Sequence, residues 1–284
     1  MVRFGVNTWC WVPEFTAKQV DLIFRAKDIG FDGIEIPILR SFVNKIDVQK
    51  TKEALESAGI GCVNVLAYGF KEDPSSPNKS IRKNAVNIAK RAIEIANTLG
   101  SDVVAGPHYA AVGKLTGKPR TRAEWGMVVR FLKQLAPYAQ DHGVTLAVEP
   151  LNRFETYFLN TAADAVKLAR DVDHPSVKVH LDTFHMNIEE KDFYTALKET
   201  GDLLFHIHAN ENDRGTPGTG HVDWKSVARA VKDSGYDRWA VIESFVLGPK
   251  EIKTGAAMWR ETASSRDELV TEGLSFLKKL FSEA

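Results

Sequence analysis

The sequence predicts an α/β protein built as a single (β/α)8 (TIM) barrel over residues 1–284, with its active site at the C-terminal ends of the strands. Three observations support this fold. Short apolar segments alternate with amphipathic helical segments, six helical segments end in glycine, and the last four apolar segments each end on a potential metal ligand. Apolar strands that alternate with helices are typical of a parallel sheet covered by helices, and such a barrel needs roughly 250 residues.

Eight segments of the chain are candidate strands because each is a short apolar run. In chain order they are RFGVNTW, FDGIEI, IGCVNVLA, DVVAG, VTLAVE, VKVHLD, LLFHIH and WAVIE. Glycine just past a helix end adopts the left-handed conformation that closes the helix, so it marks a helix-to-strand junction. Six of the strands follow such a glycine, at Gly30, Gly59, Gly100, Gly143, Gly201 and Gly235.

The segments between the strands carry apolar residues at helical spacing. One helix has Ile81, Ala85, Ile88, Ala92, Ile95 and Leu99 on one face, and the closing helix has Leu269, Leu274, Leu277 and Leu280. A doubly wound open sheet has the same alternation, but it usually carries a glycine-rich phosphate loop after its first strand. Here the first strand runs into WCWVPEF, and the count of eight strands also favours a closed barrel.

Three irregular stretches are unusually long, at residues 71–78, 110–120 and 212–221. Each follows a candidate strand, so in a barrel each lies at the C-terminal face, where long loops are often functional. We therefore expect these loops to surround the active site.

The composition is that of an ordinary globular protein, with 44% apolar and 26% charged residues. Lysine plus arginine equals aspartate plus glutamate, at 37 each, so charge gives no reason to expect a nucleic-acid or membrane partner. No apolar stretch approaches the ~18 residues of a membrane span. Two cysteines suit a reducing compartment, and the chain enters a strand without a targeting segment, so we expect a cytoplasmic protein.

The last four strands end on Glu149, Asp182, His208 and Glu243, roughly one strand-plus-helix unit of about 30 residues apart. A barrel directs all its strand ends at one mouth, so these four side chains should meet there. Two Glu, one Asp and one His suit a divalent cation. Each carboxylate could instead cap a helix or form an ion pair, but the shared register of all four favours a metal site. The inner histidines, His180 and His206, are predicted to be hydrogen-bonded core residues.

A second set of polar residues follows the same strand ends. Glu155 lies in EPLNRFE, His185 in DTFH and Arg214 in HANENDRG. Long polar side chains on loops at one end of a barrel can hold a polyhydroxylated ligand by charge-assisted hydrogen bonds. Trp9, Trp11 and Phe245 could form an apolar floor on which a sugar stacks, although core packing is equally open for Trp9.

Four motifs carry a family resemblance when taken together and in order: EPLNRFE, LDTFHMN, HIHANENDRGTPGTGHVDW and VIESF. They resemble the D-tagatose/D-allulose (ketose) 3-epimerase group of the sugar isomerase–epimerase, xylose isomerase-like barrels. The resemblance implies one Mn²⁺, Co²⁺ or Mg²⁺ ion per subunit, bound by Glu149, Asp182, His208 and Glu243. It also implies a homodimer or homotetramer, and sugar contacts near O1 to O3 from Glu155, His185 and Arg214.

The resemblance further implies that Glu149 and Glu243 are the acid–base pair across C3 of a small-molecule ketose. One glutamate removes the C3 proton from one face and the other returns a proton to the opposite face, through a cis-enediolate. The metal would act as a Lewis acid on the C2 carbonyl. The expected substrate is a free ketohexose or ketopentose of the D-allulose/D-fructose, D-tagatose or L-ribulose type.

The chain departs from the group at two places. The better-known members have an aromatic residue two positions after the first-strand glycine, where this chain has Asn7, a candidate substrate contact. They also have a tryptophan after strand four, where the nearest counterpart here is Val112 in GPHYAAV. Both aromatic residues help to hold the far end of the sugar, so the departures leave the preferred ketose open.

Other reactions occur on the same type of barrel. Aldose–ketose isomerisation and keto-inositol isomerisation or dehydration share the enediolate chemistry, so they stay open as alternatives. An apurinic-site endonuclease needs about three zinc ions and extra histidines, and the third strand, VNVLAYGF, has no histidine. A non-catalytic sugar-binding or metal-binding protein would have no need for both acid–base glutamates.

Overall fold

The computed structural model describes residues 1–41, 43–245 and 258–283. Its eight parallel strands close into a barrel in chain order, with β8 paired to β1. The strands β1 to β8 are Arg3–Asn7, Gly33–Ile38, Gly61–Leu66, Val103–Gly106, Thr145–Val148, Val177–Asp182, Leu204–His208 and Trp239–Ile242. Seven of the predicted apolar segments contain one strand each, and FDGIEI overlaps β2, which continues to Ile38. The prediction of a (β/α)8 barrel rather than an open sheet is therefore confirmed.

Helices connect the strands and surround the barrel. Within the described ranges, α1 to α9 are Asp21–Ile29, Val48–Ala58, Lys79–Thr98, Arg122–Asp141, Ala162–Val172, Thr183–Glu189, Phe193–Thr200, Trp224–Asp233 and Arg266–Glu283. The glycine pattern correctly predicted helix ends. For example, Gly30 and Gly59 end α1 and α2 in the left-handed conformation, with φ of 101° and 66°. None of these helices is long and apolar enough to cross a membrane.

The inside of the barrel is apolar at its amino-terminal end. The Trp239 indole, at the start of β8, packs with a small cluster that includes Val63, Val103 and Val241. A Cβ atom at Gly33 would lie 2.5 Å from the Trp239 ring, so a side chain there would displace the indole. The tryptophan therefore closes the floor of the barrel, and the polar groups collect at the opposite end.

The predicted long loops follow β3, β4 and β7, and backbone hydrogen bonds join the loops after β3 and β4 to their neighbours. The N–H of Val112 donates to the carbonyl of Tyr68 at 3.0 Å, and the N–H of Gly113 donates to the carbonyl of Glu155 at 2.8 Å. The loops after β3, β4 and β5 thus form one continuous part of the rim at the carboxyl ends of the strands.

Candidate active site

A cavity of about 180 Å³ opens at the carboxyl ends of the strands. Eight of the residues proposed from the sequence line it: Trp9, Glu149, Glu155, His185, His208, Arg214, Glu243 and Phe245. Asp182 lies directly beside them and is fully buried. The structure therefore brings together the candidate metal ligands and the candidate sugar clamp, as the strand register predicted.

The four candidate ligands converge around His208. Its Nδ1 atom lies 3.5 Å from Oε2 of Glu243 and 3.8 Å from Oδ2 of Asp182. Ligand atoms of Glu149, Asp182 and His208 all lie within 4.8 Å of one another. Nδ1 of His208 is buried and has no hydrogen-bond partner within the part of the chain that the structure describes. An unpartnered imidazole nitrogen among three carboxylates is a donor set that fits a divalent cation.

Hydrogen bonds between strand ends hold these side chains in place. Asp182 caps α6, because its Oδ1 accepts the N–H of Phe184 at 2.8 Å, and its Oδ2 accepts from the Asn210 amide at 3.0 Å. Oδ1 of Asn210 accepts the N–H of Glu243 at 2.7 Å. Asn210 therefore links the ends of β6, β7 and β8. Sequence reasoning missed it, although it lies two residues beyond His208 in the same motif.

Burial and charge move the pKa values of this cluster in different directions. Burial raises the pKa of Glu149 well above its ordinary value, and the nearby Asp182 and Glu243 carboxylates raise it further. Burial would also raise the pKa of Asp182, but Arg214 and two histidines outweigh it and hold that pKa low. Burial opposes protonation of His208, yet neighbouring carboxylates raise its pKa. The cluster thus has an excess of negative charge that a cation would relieve.

Arg214 forms ion pairs with two of the candidate metal ligands. Its Nη1 is 2.8 Å from Oδ2 of Asp182 and 2.7 Å from Oε2 of Glu243. Its guanidinium also stacks on Phe184, 4.0 Å from the ring centroid. The residue has a φ of 62°, unusual for a residue other than glycine, and its carbonyl accepts the hydroxyl of Ser244. Such backbone strain persists where the surroundings hold it, often at functional sites.

His185 and Glu155 are oriented by the same asparagine, Asn152. The backbone N–H of Asn152 donates to Nδ1 of His185 at 3.1 Å, which leaves the ring proton on Nε2. Nε2 lies 3.8 Å from Oε1 of Glu149, and burial lowers the pKa of His185 to about 3, so the ring is neutral. The Asn152 amide donates to Oε1 of Glu155 at 2.8 Å. The site therefore presents a neutral N–H donor beside a carboxylate.

The aromatic residues divide into two groups. Trp9 and Phe245 line the cavity and pack on each other with ring centroids 5.3 Å apart. Trp11 does not reach the cavity, because its indole N–H donates to Asp267 on α9 and Arg25 stacks on its ring. Asn7 does not line the cavity either: it is fully buried, and its side chain accepts the N–H of Trp9 at 2.8 Å. The expectation that Trp11 and Asn7 face a ligand is not met by this arrangement.

Comparison with known proteins identifies the family. The family model described as xylose isomerase-like TIM barrel matches residues 23–280. This chain belongs to the xylose isomerase-like TIM barrels. The resemblance that the four motifs predicted is thereby confirmed.

Several relatives of this xylose isomerase-like barrel match it over nearly its whole length. A probable ketose 3-epimerase of Synechocystis sp. is 34% identical over 280 residues, covering 99% of this chain and 97% of the relative. An L-ribulose 3-epimerase of Methylomonas sp. is 31% identical and covers 99% and 98%. The crystal structure of a D-allulose 3-epimerase from Methylomonas sp., in complex with D-allulose, has a TM-score of 0.93 at 30% identity and covers 98% and 96%.

Below the cavity, the interior of this xylose isomerase-like barrel holds Glu35, His180 and His206. Of these, only the two histidines were considered from the sequence. Glu35 on β2 was missed, although a lone acid inside the apolar segment FDGIEI was a usable signal. Its Oε2 accepts from His206 at 2.9 Å, so the prediction of a hydrogen-bonded core His206 is confirmed. His180 is a fully buried core residue as predicted, but the predicted hydrogen bond is wrong, because neither ring nitrogen has a partner within the described residues.

The pKa of Glu35 stays low despite its position. Burial alone would raise it, but the coulombic effect of His208 and hydrogen bonds from His206 and His208 together lower it. The interior of the barrel thus holds a carboxylate charge directly below the candidate metal site.

Proposed function

We propose that this chain is a metal-dependent ketose 3-epimerase that inverts C3 of a free ketohexose or ketopentose of the D-allulose/D-fructose, D-tagatose or L-ribulose type. The observation that carries the proposal is the convergence of Glu149 and Glu243, from β5 and β8, on one cavity beside Asp182 and His208. Relatives of matching length that are named ketose 3-epimerase and L-ribulose 3-epimerase support it.

Glu149, Asp182, His208 and Glu243 would hold one divalent ion per subunit, with Mn²⁺ expected first and Co²⁺ or Mg²⁺ as alternatives. The unpartnered Nδ1 of His208 and the surrounding carboxylates support this assignment. Three carboxylates and one imidazole, without thiolate, suit hard or borderline ions better than a structural zinc site. When bound, the ion would act as a Lewis acid that polarises the C2 carbonyl and acidifies the C3 proton.

Glu149 and Glu243 act as the acid–base pair. Their strands are three positions apart in the ring of eight, so the carboxylates approach the cavity from different sides. One removes the C3 proton from one face of the ketose, which leaves a cis-enediolate, and the other delivers a proton to the opposite face. Both roles exchange when the reaction runs in reverse.

Arg214, His185 and Glu155 orient the sugar near O1 to O3. Arg214 and the Nε2–H of His185 supply hydrogen-bond donors, and Glu155 supplies an acceptor. Donors that are fixed before the substrate arrives stabilise the negative charge that develops on the sugar oxygens. Trp9 and Phe245 cover the apolar side of the bound ketose.

Turnover in D2O tests this reaction against its nearest rivals. With D-fructose, D-tagatose or L-ribulose as substrate, we expect deuterium at C3 of the product and little at C1, because each glutamate exchanges its proton with solvent between turnovers. An aldose–ketose isomerase would label C1 or transfer hydrogen without label, and a keto-inositol isomerase or dehydratase would leave these sugars unchanged. Complete conversion with protium retained at C3 would rule out the two-base mechanism.

We further propose that residues 1–284 form one catalytic domain that assembles as a homodimer or homotetramer in the cytoplasm. The family resemblance supports the assembly, and two free, buried cysteines suit a reducing compartment. Light scattering at working concentration tests the assembly, and a monomer would contradict it.

A further inference from the structure

Glu35 is a buried charge to which the proposed reaction assigns no role. It lies on β2 and alternates with Ile34 and Ile36, which pack on the helix side of the barrel, so its side chain points inward. It is fully buried. An isolated carboxylate in such a place is very unfavourable unless it is hydrogen-bonded. Packing alone therefore does not account for a carboxylate at this position.

Three donors satisfy the Glu35 carboxylate. Oε1 accepts from the Asn7 amide at 2.8 Å and from Nε2 of His208 at 2.8 Å, and Oε2 accepts from Nε2 of His206 at 2.9 Å. The two histidine contacts use different oxygens, so they fix the plane of the carboxylate. Asn7 adds a third constraint from the neighbouring strand, where it pairs in register with Glu35.

The contact with His208 decides which ring nitrogen faces the candidate metal ligands. A carboxylate can only accept, so Nε2 of His208 carries a proton, and in the neutral form of the ring, which a metal ion requires, the lone pair is on Nδ1. Nδ1 is the atom that faces Glu243 and Asp182, at 3.5 Å and 3.8 Å. The orientation and the tautomer of His208 both follow from its bond to Glu35.

We propose that Glu35 is a positioning residue that holds His208 with Nε2 protonated, so that Nδ1 is the metal-binding atom. This inference rests on the proposed function, in that it requires the cluster around His208 to bind a divalent ion. A hydrogen bond from the outer nitrogen of a metal-binding histidine to a carboxylate typically fixes the ring and changes metal affinity by 10–100-fold.

Two other roles for Glu35 fit the geometry less well. As a direct metal ligand, Glu35 would have to lose hydrogen bonds, because Oε1 and Oε2 already accept from Asn7, His208 and His206. As a purely structural residue it would be a poor choice, since a buried ionic network is seldom more stable than packed apolar side chains. Its neighbour in register on β3 is Val63, an apolar residue in the same barrel interior.

Metal affinity is the first test, with the purified full-length protein and Mn²⁺ in competition with a chelator. We expect Glu35→Gln to weaken Mn²⁺ binding by about 10–100-fold. His206→Gln is the matched control, because it alters the bond to the other Glu35 oxygen without changing the partner of His208. Its loss of affinity should be clearly smaller. Equal losses in the two variants would make Glu35 a structural residue and overturn the inference.

The tautomer of His208 is the second test, and it is read from the wild-type protein. Long-range ¹⁵N–¹H correlation spectra of histidine-labelled wild type, saturated with diamagnetic Mg²⁺, should show the His208 proton on Nε2. His208→Asn identifies the signal. A proton on Nδ1 would overturn the inference.

The two tests also separate this inference from the proposed function. If the His208 signals do not respond to Mg²⁺ or Mn²⁺, the metal site itself is wrong, and the role of Glu35 falls with it. If His208 responds but Glu35→Gln keeps wild-type affinity, only the role of Glu35 is wrong. Glu35→Asp, which keeps the charge on a shorter side chain, should bind Mn²⁺ more weakly than wild type, because it cannot reach both histidines.

Discussion

The two halves of the barrel mouth differ in chemistry although they surround one cavity. Strands β5 to β8 and their loops contribute Glu149, Leu151, Glu155, His185, His208, Arg214, Glu243 and Phe245. Strands β1 to β4 and their loops contribute Trp9, Leu39, Val65, Leu66, Ala67, Gly106, Pro107 and Val112. One half therefore holds every charged group that lines the cavity within the described chain, and the other half offers an apolar surface.

We therefore expect the charged half to determine the reaction and the apolar half to determine which sugar fits. Charged side chains must lie at defined distances from the reacting atoms. In the half with β5 to β8, hydrogen bonds of Asn210 and Asn152 hold these side chains in place. An apolar surface acts through its shape, so changes there alter which sugar fits more than how it reacts. We expect substitutions in the two halves to have separable effects on turnover and on substrate preference.

Removal of the metal should have the largest effect, because all proposed ligands lie in the charged half. Dialysis against a chelator should abolish epimerisation, and Mn²⁺ or Co²⁺ should restore it. Product analysis by chromatography, with metal content measured in the same samples, checks this. Full activity in a verified metal-free preparation would contradict the mechanism.

Glu243→Gln and Glu149→Gln should each lower the rate of epimerisation by about 10²–10⁴-fold, the usual contribution of a general acid or base. Each variant could still exchange the C3 proton of one epimer, because each glutamate acts as base in only one direction. NMR in D2O, with the two epimers supplied separately, measures this. Glu190→Gln is a control, since that partly buried carboxylate accepts the N–H of Ala162 away from the cavity. Wild-type turnover in either active-site variant would remove that glutamate from the mechanism.

Arg214→Ala should lower kcat/KM by about 10²-fold, because a misplaced reacting centre loses a factor of that order. Metal content should stay near that of wild type, since the substitution removes a positive charge from beside Asp182 and Glu243. Arg214→Lys keeps the charge and should recover part of the loss in kcat/KM. Steady-state kinetics and metal analysis check both variants, and loss of the metal from Arg214→Ala would show that the residue supports the ligands rather than the sugar.

In the apolar half, Val112→Leu should change the ratio of kcat/KM between a ketopentose and a ketohexose by about 10-fold, the lower range for one methylene in a pocket. Metal affinity should not change. Val86→Leu, at a partly buried position on α3, is the matched control and should leave the ratio unaltered. An equal loss of activity on both sugars would mean that the apolar half takes part in the reaction itself.

The smallest effect is expected at the two cysteines. Burial raises the pKa of Cys10 to about 12, and burial also raises the pKa of Cys62, so neither thiol ionises in the native protein near neutral pH. Because the thiolate is the reactive form, a thiol reagent should not modify either residue before unfolding. Rapid labelling of the native protein, measured by mass spectrometry with and without denaturant, would contradict the packing described here.

The sequence alone determined the barrel and the four residues around the candidate metal position. Strand periodicity shows which side chains face inward, and parallel closure brings every strand end to one mouth, so Glu149, Asp182, His208 and Glu243 could be placed together without coordinates. The motif EPLNRFE similarly placed Glu155. These inferences succeed because each depends on the order of residues within one strand and the loop that follows it.

Tertiary structure alone decided the side-chain partners. Glu35 receives hydrogen bonds from residues 28, 171 and 173 positions away, so no local pattern reveals its network. Trp11 was expected at the cavity, but its indole binds Asp267, 256 residues away, and Asn7 turns to Glu35 instead of to a ligand. The direction of a side chain depends on which distant groups satisfy its polar atoms, and only the closed barrel brings those groups into reach.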